Sequence, residues 1–201
     1  SRLFFHAEEE DEEDADRGLA VCQMTSVALD THSQAELGKL LETEFDSWSF
    51  DTFRLATLSD GRPLIFAGHE ALRRNNLYYT FPIEQDKAKL FLKRAEAKYA
   101  RQPQVPYHNN MHAADVTQGI HALLGDMGLQ DYFDNLSRLS IVFSAVIHDM
   151  GHDGRNNSFH VNAQDEMALT YNDKSVLENF HVSQAFRLMA AEPEANLLSG
   201  L

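Results

Sequence analysis

At 201 residues with an apolar fraction of 43%, the sequence is long enough to bury one core and ordinary enough in composition to fold as one domain. Its 31 acidic residues outweigh 17 basic ones for a formal charge of −14, so it lacks the Lys/Arg surface that would approach a polynucleotide or an anionic membrane. No run reaches the roughly 18 apolar residues of a membrane span, and a single cysteine, Cys22, excludes an intrachain disulfide. Together these predict a cytoplasmic chain.

The first five residues, Ser1 to Phe5, run straight into acid without a signal-peptide core, and a start at Ser rather than Met suggests a fragment or processed product. Glu8 to Asp16 is acidic at every position except Ala15, and repulsion in so dense a block favours a solvated chain. Residues 1–32 are therefore expected to be an acidic, disordered segment and 33–201 the domain. Leu37, Leu40, Leu41 and Phe45 form one apolar stripe, with Ser33 as its expected cap. Asp60-Gly61-Arg62-Pro63 reads as a turn leading into a helix. Ile83, Leu90, Phe91, Ala95 and Tyr99 mark the next helix, closed off by Pro103 and Pro106. Val116, Ile120, Leu123, Leu124 and Met127 share one face of a helix whose first turns lie at or beside His108 and His112. Leu136 to Ile147 is apolar nearly all round, as a central helix would be, and ends in His148-Asp149. A last long helix, capped by Asp173, would run to Met189 with Val176, Leu177, Phe180 and Leu188 buried. No period-two strand pattern stands out, so the expected class is all-α.

Chemistry concentrates between His108 and His152, which holds five of the ten histidines. His108 and His112 are four apart, so on a helix both rings project from one face. His148, Asp149 and His152 form a second cluster at the end of the most apolar helix. Burying imidazoles beside a carboxylate is costly unless something pairs with them, and a divalent cation does so with these donor types. The isolated His69 and His121 read instead as core histidines bonded to backbone carbonyls. Imidazole and carboxylate suit zinc, and a carboxylate shared with a second, water-rich ion suits magnesium or manganese.

Three long motifs in order carry a resemblance. The segment Pro106-Tyr107-His108-Asn109-Asn110-Met111-His112-Ala113-Ala114-Asp115-Val116 resembles the first metal motif of the class I cyclic-nucleotide phosphodiesterases. His148-Asp149-Met150-Gly151-His152-Asp153-Gly154-Arg155-Asn156-Asn157 is similar to their His-Asp signature, and Tyr171-Asn172-Asp173-Lys174-Ser175-Val176-Leu177-Glu178-Asn179 to a third. Phe50-Asp51-Thr52-Phe53-Arg54-Leu55 resembles a further segment of that family, so the likeness runs from about Phe45 onward.

The resemblance implies a compact multi-helix fold of the His-Asp superfamily, with 33–201 a partial, C-terminally truncated catalytic domain. It implies hydrolysis of cAMP or cGMP to the 5′-monophosphate by a hydroxide held between two metals. His112, His148 and Asp149 would hold zinc, with Asp149 also bridging to magnesium. His108 would be the general acid at O3′. His152 and Glu178 would stand in the outer ring, holding water or orienting His108, and Tyr107, His108 and Asp149 would contact substrate. Asp115 and Asp165 are candidates for the same outer ring, or ordinary exposed helix charges.

The family's further zinc aspartate and its base-gripping glutamine and phenylalanine lie beyond Leu201, and Asp153 stands where many members have proline. Helices missing from such a truncated domain would leave Ile141–Ile147 and Phe180–Met189 open to self-association, a homodimer being one outcome. Ala114 to Gln118 and His181-Val182-Ser183 lean toward the calcium/calmodulin-stimulated and cAMP-specific branches. No basic amphipathic helix of calmodulin-target type precedes Phe45. Two alternatives stay open: another His-Asp phosphohydrolase, and a catalytically incomplete module that binds metal and partners.

Overall fold

The computed structural model describes residues 29–100, 104–125 and 128–201, and among these every regular element is helical. The acidic run from Glu8 to Asp16, and Met127, lie outside the described residues. Ten α-helices follow in order: α1 Thr31–Glu44, α2 Thr52–Leu58, α3 Pro63–Arg74, α4 Leu77–Thr80, α5 Gln85–Lys98, α6 Asn110–Gly125, α7 Asn135–Ile147, α8 Asn157–Ala163, α9 Glu166–Thr170 and α10 Val176–Ala191. Short 3-10 turns at Leu129–Tyr132 and Pro193–Ala195 complete the set. No described helix is long and apolar enough to cross a membrane.

The central helix is α3, not α7. Every residue of α3 from Pro63 to Leu72 is buried, including His69 and Glu70. Polar residues disguise it in the sequence, and the structure shows how they are satisfied. Glu70 takes both Arg73 and Arg74 at 2.7–3.2 Å, and His69 Nδ1 meets the Tyr78 hydroxyl at 3.1 Å. A buried carboxylate without such partners would cost several kcal/mol, on the order of 3–5. By contrast α7 leaves Leu136 58% exposed, with Ser140 and Ser144 on the same open side.

Packed along α3 are α6 and α5. At the α5 crossing Gly68 lets Leu92 lie where a Cβ would be. The face that α6 turns inward is not the Val116, Ile120, Leu123 stripe, which is only half-buried, but Ala113, Ala114, Thr117, Gln118 and His121. Small side chains allow the close approach, and the polar ones find partners. Thr117 bonds back to the Ala113 carbonyl. Gln118 Nε2 donates to the carbonyls of Phe45 and Ser47 at the end of α1. His121 accepts from Asn75 at 2.9 Å and donates to Asp46 at 2.7 Å, so its partners are side chains rather than the expected carbonyl.

Three helix starts differ in their caps from simple local reading. Asp30, not Ser33, caps α1, its Oδ1 accepting the Ser33 N–H at 3.0 Å while the Ser33 hydroxyl donates to its Oδ2. Before α10 stands Ser175 in the left-handed region at φ 42°, and Asp173 makes no cap. The Leu177 N–H goes instead to Oδ1 of Asn157, at the start of α8, at 2.8 Å. At α3 no local side chain caps the helix, and Glu96 of α5 accepts the Leu64 N–H at 2.9 Å. Local sequence favours a cap, but a partner from another helix satisfies the same N–H equally well.

Candidate metal centre

The site forms where the start of α6, the end of α7 and the middle of α10 meet. His112 sits in the first turn of α6, which begins at Asn110, so His108 lies on the approach to the helix rather than within it. Asn109 sets that start: its Oδ1 accepts the N–H groups of Met111 and His112 while its Nδ2 is held by the carbonyls of Val105 and Pro106. His148 is the C-cap of α7 and Asp149 follows it into a tight turn. Gly151 takes φ +84° there, and a Cβ would sit 3.1 Å from the Phe180 ring, so this turn needs glycine.

His112 Nε2 lies 3.2 Å from His148 Nε2 and 3.5 Å from Asp149 Oδ2, and His148 Nε2 is 3.2 Å from that same oxygen. The tautomer of His148 is set by the backbone. Its Nδ1 is 2.9 Å from the Ala145 carbonyl, which can only accept, so Nδ1 carries the hydrogen and neutral Nε2 presents a lone pair. Two imidazole nitrogens and a carboxylate oxygen thus converge in a partly buried volume, an arrangement that only a proton or a cation relieves. Those donor types and their number fit a zinc-like cation with an open position.

A second group shares Asp149. His152 and His181 each offer a ring nitrogen that gathers with an Asp149 oxygen within 4.8 Å. Their tautomers differ. The Nδ1 of His181 donates to the Met150 carbonyl at 2.9 Å and leaves an Nε2 lone pair 3.8 Å from Asp149 Oδ1. The Nδ1 of His152 accepts the Gly154 N–H at 2.8 Å, so its neutral ring carries hydrogen at Nε2 and acts as a donor. His181 had no site role in the sequence reading, although it lies three residues from Glu178 on one helix, a spacing that puts both on one face.

Electrostatics follow from the crowding. Burial and then the positive form of His148 hold His112 below the ordinary histidine range. Burial and then His108 do the same to His152. Burial pulls the other way at His148 and Asp149, but their mutual hydrogen bond and charges win, raising the histidine and lowering the carboxylate.

His108 stacks on His152 with centroids 4.0 Å apart and 11° between planes, and His152 stacks in turn on His181 at 5.5 Å. These groups line a cleft of about 390 Å³ with His148, Asp149, Asn157 and Glu178, a size usual for a small-molecule site. Within it Glu178 is held by Asn157 Nδ2 at 3.0 Å. Tyr107, 64% exposed, leans on His112 at 4.5 Å and lines a separate cleft with Phe53 and Asp115. Asp115 accepts from Thr52 at 2.9 Å on that flank. Asp165 stands apart from the main cleft, capping α9 and bonding His160 at 2.6 Å.

The sequence profile of the 3′5′-cyclic nucleotide phosphodiesterase family matches residues 107–201. Among curated proteins, the chain is 42% identical over 158 residues to the dual specificity calcium/calmodulin-dependent 3′,5′-cyclic nucleotide phosphodiesterase 1C of Mus musculus, covering 79% of this chain and 22% of that one. It is 40% identical to the 3′,5′-cyclic-AMP phosphodiesterase 4C of Mus musculus over 174 residues, or 87% of this chain and 25% of that one. Among solved structures, the phosphodiesterase domain of the RhoPDE fusion protein from the choanoflagellate Salpingoeca rosetta superposes with a TM-score of 0.69 at 29% identity, covering 82% of this chain and 49% of that chain. The chain therefore spans about a quarter or less of the length of these two curated relatives and about half of the solved domain.

Proposed function

As a chain that belongs, through residues 107–201, to the class I 3′,5′-cyclic nucleotide phosphodiesterase family, this protein, we propose, carries the metal-binding half of a site that hydrolyses a 3′,5′-cyclic nucleotide to its 5′-monophosphate. The observation that carries the reading is that His112, His148 and Asp149 converge while Asp149 also belongs to the second group. His112, His148 and Asp149 would hold zinc, and the far side of Asp149 would face magnesium or manganese. When bound, such cations neutralise charge on phosphoryl oxygens and lower the pKa of water.

The chain's own residues do the rest. His108 stands at the cleft on the approach to α6, where an imidazolium can deliver a proton to the leaving O3′. Stacking against it favours a neutral His152, because two adjacent cations repel, and the Nε2–H of His152 is then free to donate to a phosphoryl oxygen. His148 and His181, each tied to a carbonyl at Nδ1, keep their lone pairs turned toward Asp149. Asn157 holds Glu178 at the rim and caps α10, which fixes one wall of the cleft.

Hydrolysis of cAMP and cGMP by the 201-residue chain with added zinc and magnesium is the test, with His108→Ala and Asp149→Ala as controls. Turnover lost in both variants supports the assignment. Metal uptake without turnover would favour the second reading, a metal-binding interaction module, toward which exposed Leu169, Val182 and Phe186 already point.

A further inference from the structure

Tyr99 follows α5 and is only 4% exposed, yet its hydroxyl reaches the far end of α7. It donates to the Val146 carbonyl at 2.8 Å and accepts the Asp149 N–H at 3.3 Å. Those two backbone groups bracket His148. A helix end leaves its last carbonyls without intrahelical donors, and at α7 each of three is taken by a different group. Ala145 accepts from the His148 ring, Val146 from Tyr99, and Ile147 from the Met150 N–H at 3.0 Å. The departure of the chain from the helix, which turns both His148 and Asp149 into the cleft, is thus pinned from outside by one phenol. Burial holds that phenol far above its ordinary pKa, so it remains a hydroxyl able to donate and accept at once.

We propose that Tyr99 is a positioning residue for the metal centre, fixing the peptide that carries His148 and Asp149 so that one carboxylate serves both donor groups. This rests on the metal reading of that cluster. Hydrogen-bonded groups behind metal ligands change metal affinity or activity by about 10- to 100-fold when removed. A hydroxyl that merely satisfied a stray carbonyl would affect stability alone.

Tyr99→Phe keeps the ring and its packing and removes only the oxygen. Zinc affinity of the whole chain, measured by competition with a chromogenic chelator, is expected to fall about tenfold. The visible bands of the cobalt-substituted form should shift as the ligands relax. Phe91→Leu, on the α5 helix that Tyr99 follows, serves as the control, since it loosens buried packing without touching the hydroxyl and should lower the melting temperature while leaving affinity and spectrum in place.

Unchanged affinity and cobalt bands in Tyr99→Phe would overturn the proposal. So would an equal loss in Phe91→Leu, or failure of Tyr99→Phe to fold at all, because each marks the role as general stability. No zinc uptake by the unsubstituted chain would instead remove the metal reading itself, and this role with it.

Discussion

Individual side chains here do work that their type alone does not announce, and His69 illustrates it. Its ring is 1% exposed, and burial drives its pKa down from 6.5 to about 4. Between those values the unfolded chain binds a proton that the folded chain does not. Stability contributed by the neutral ring is therefore complete above pH 6.5 and is lost as pH falls toward 4. At roughly 1.4 kcal/mol per pKa unit the loss is on the order of 3 kcal/mol. His69→Asn, which can still meet the Tyr78 hydroxyl, is expected to flatten that acid limb in urea titrations run from pH 7 to pH 4. An unchanged slope would show that the other buried histidines carry it. The sequence identified His69 as core correctly, but its partner is a tyrosine nine residues on, which periodicity does not reveal.

Helices in this fold are finished by one another. Glu96 on α5 caps α3 through the Leu64 N–H and also meets Arg62 at 3.2 Å, while burial, outweighing both contacts, raises its pKa. The acceptor oxygen therefore matters more than the charge. Glu96→Gln retains that oxygen, and Arg62, a quarter exposed, can turn to water; the variant should lie within about 1 kcal/mol of the parent. Glu96→Ala leaves the N–H buried and opens a cavity, so a loss of about 2–3 kcal/mol is expected in denaturant unfolding. Equal losses in both would mean that the ion pair dominates. Capping from another helix also explains why Asp173 is an attractive local candidate for α10 that makes no cap. Asn157 becomes available only once α8 has folded beside it.

Across the whole molecule, the proposed zinc ties α6 to the end of α7, which are separated by 36 residues between His112 and His148. A ligand bound only by the folded state stabilises it by mass action, on the order of 3–4 kcal/mol at 100 to 1,000 times its dissociation constant. For a chain of this size that corresponds to a rise of about 6–16 °C in melting temperature. Scanning calorimetry with zinc and then with excess chelator should show that shift, and His148→Ala should abolish it. An equal rise in His148→Ala would place the stabilising ion elsewhere.

The sequence by itself determined the helical class and the two histidine clusters, because their spacing along the chain is a local property and the apolar periods are strong. It also carried the family likeness, since the motifs are contiguous. Tertiary structure alone decided that α3 is the central helix, because its buried Glu70 looks like a surface residue until Arg73 and Arg74 are in place. It turned α6 onto its small and polar face, because close approach to α3 favours alanine over larger side chains. It brought His181 to Asp149 and the Tyr99 hydroxyl to the end of α7, contacts between segments 32 and 50 residues apart that no local pattern encodes.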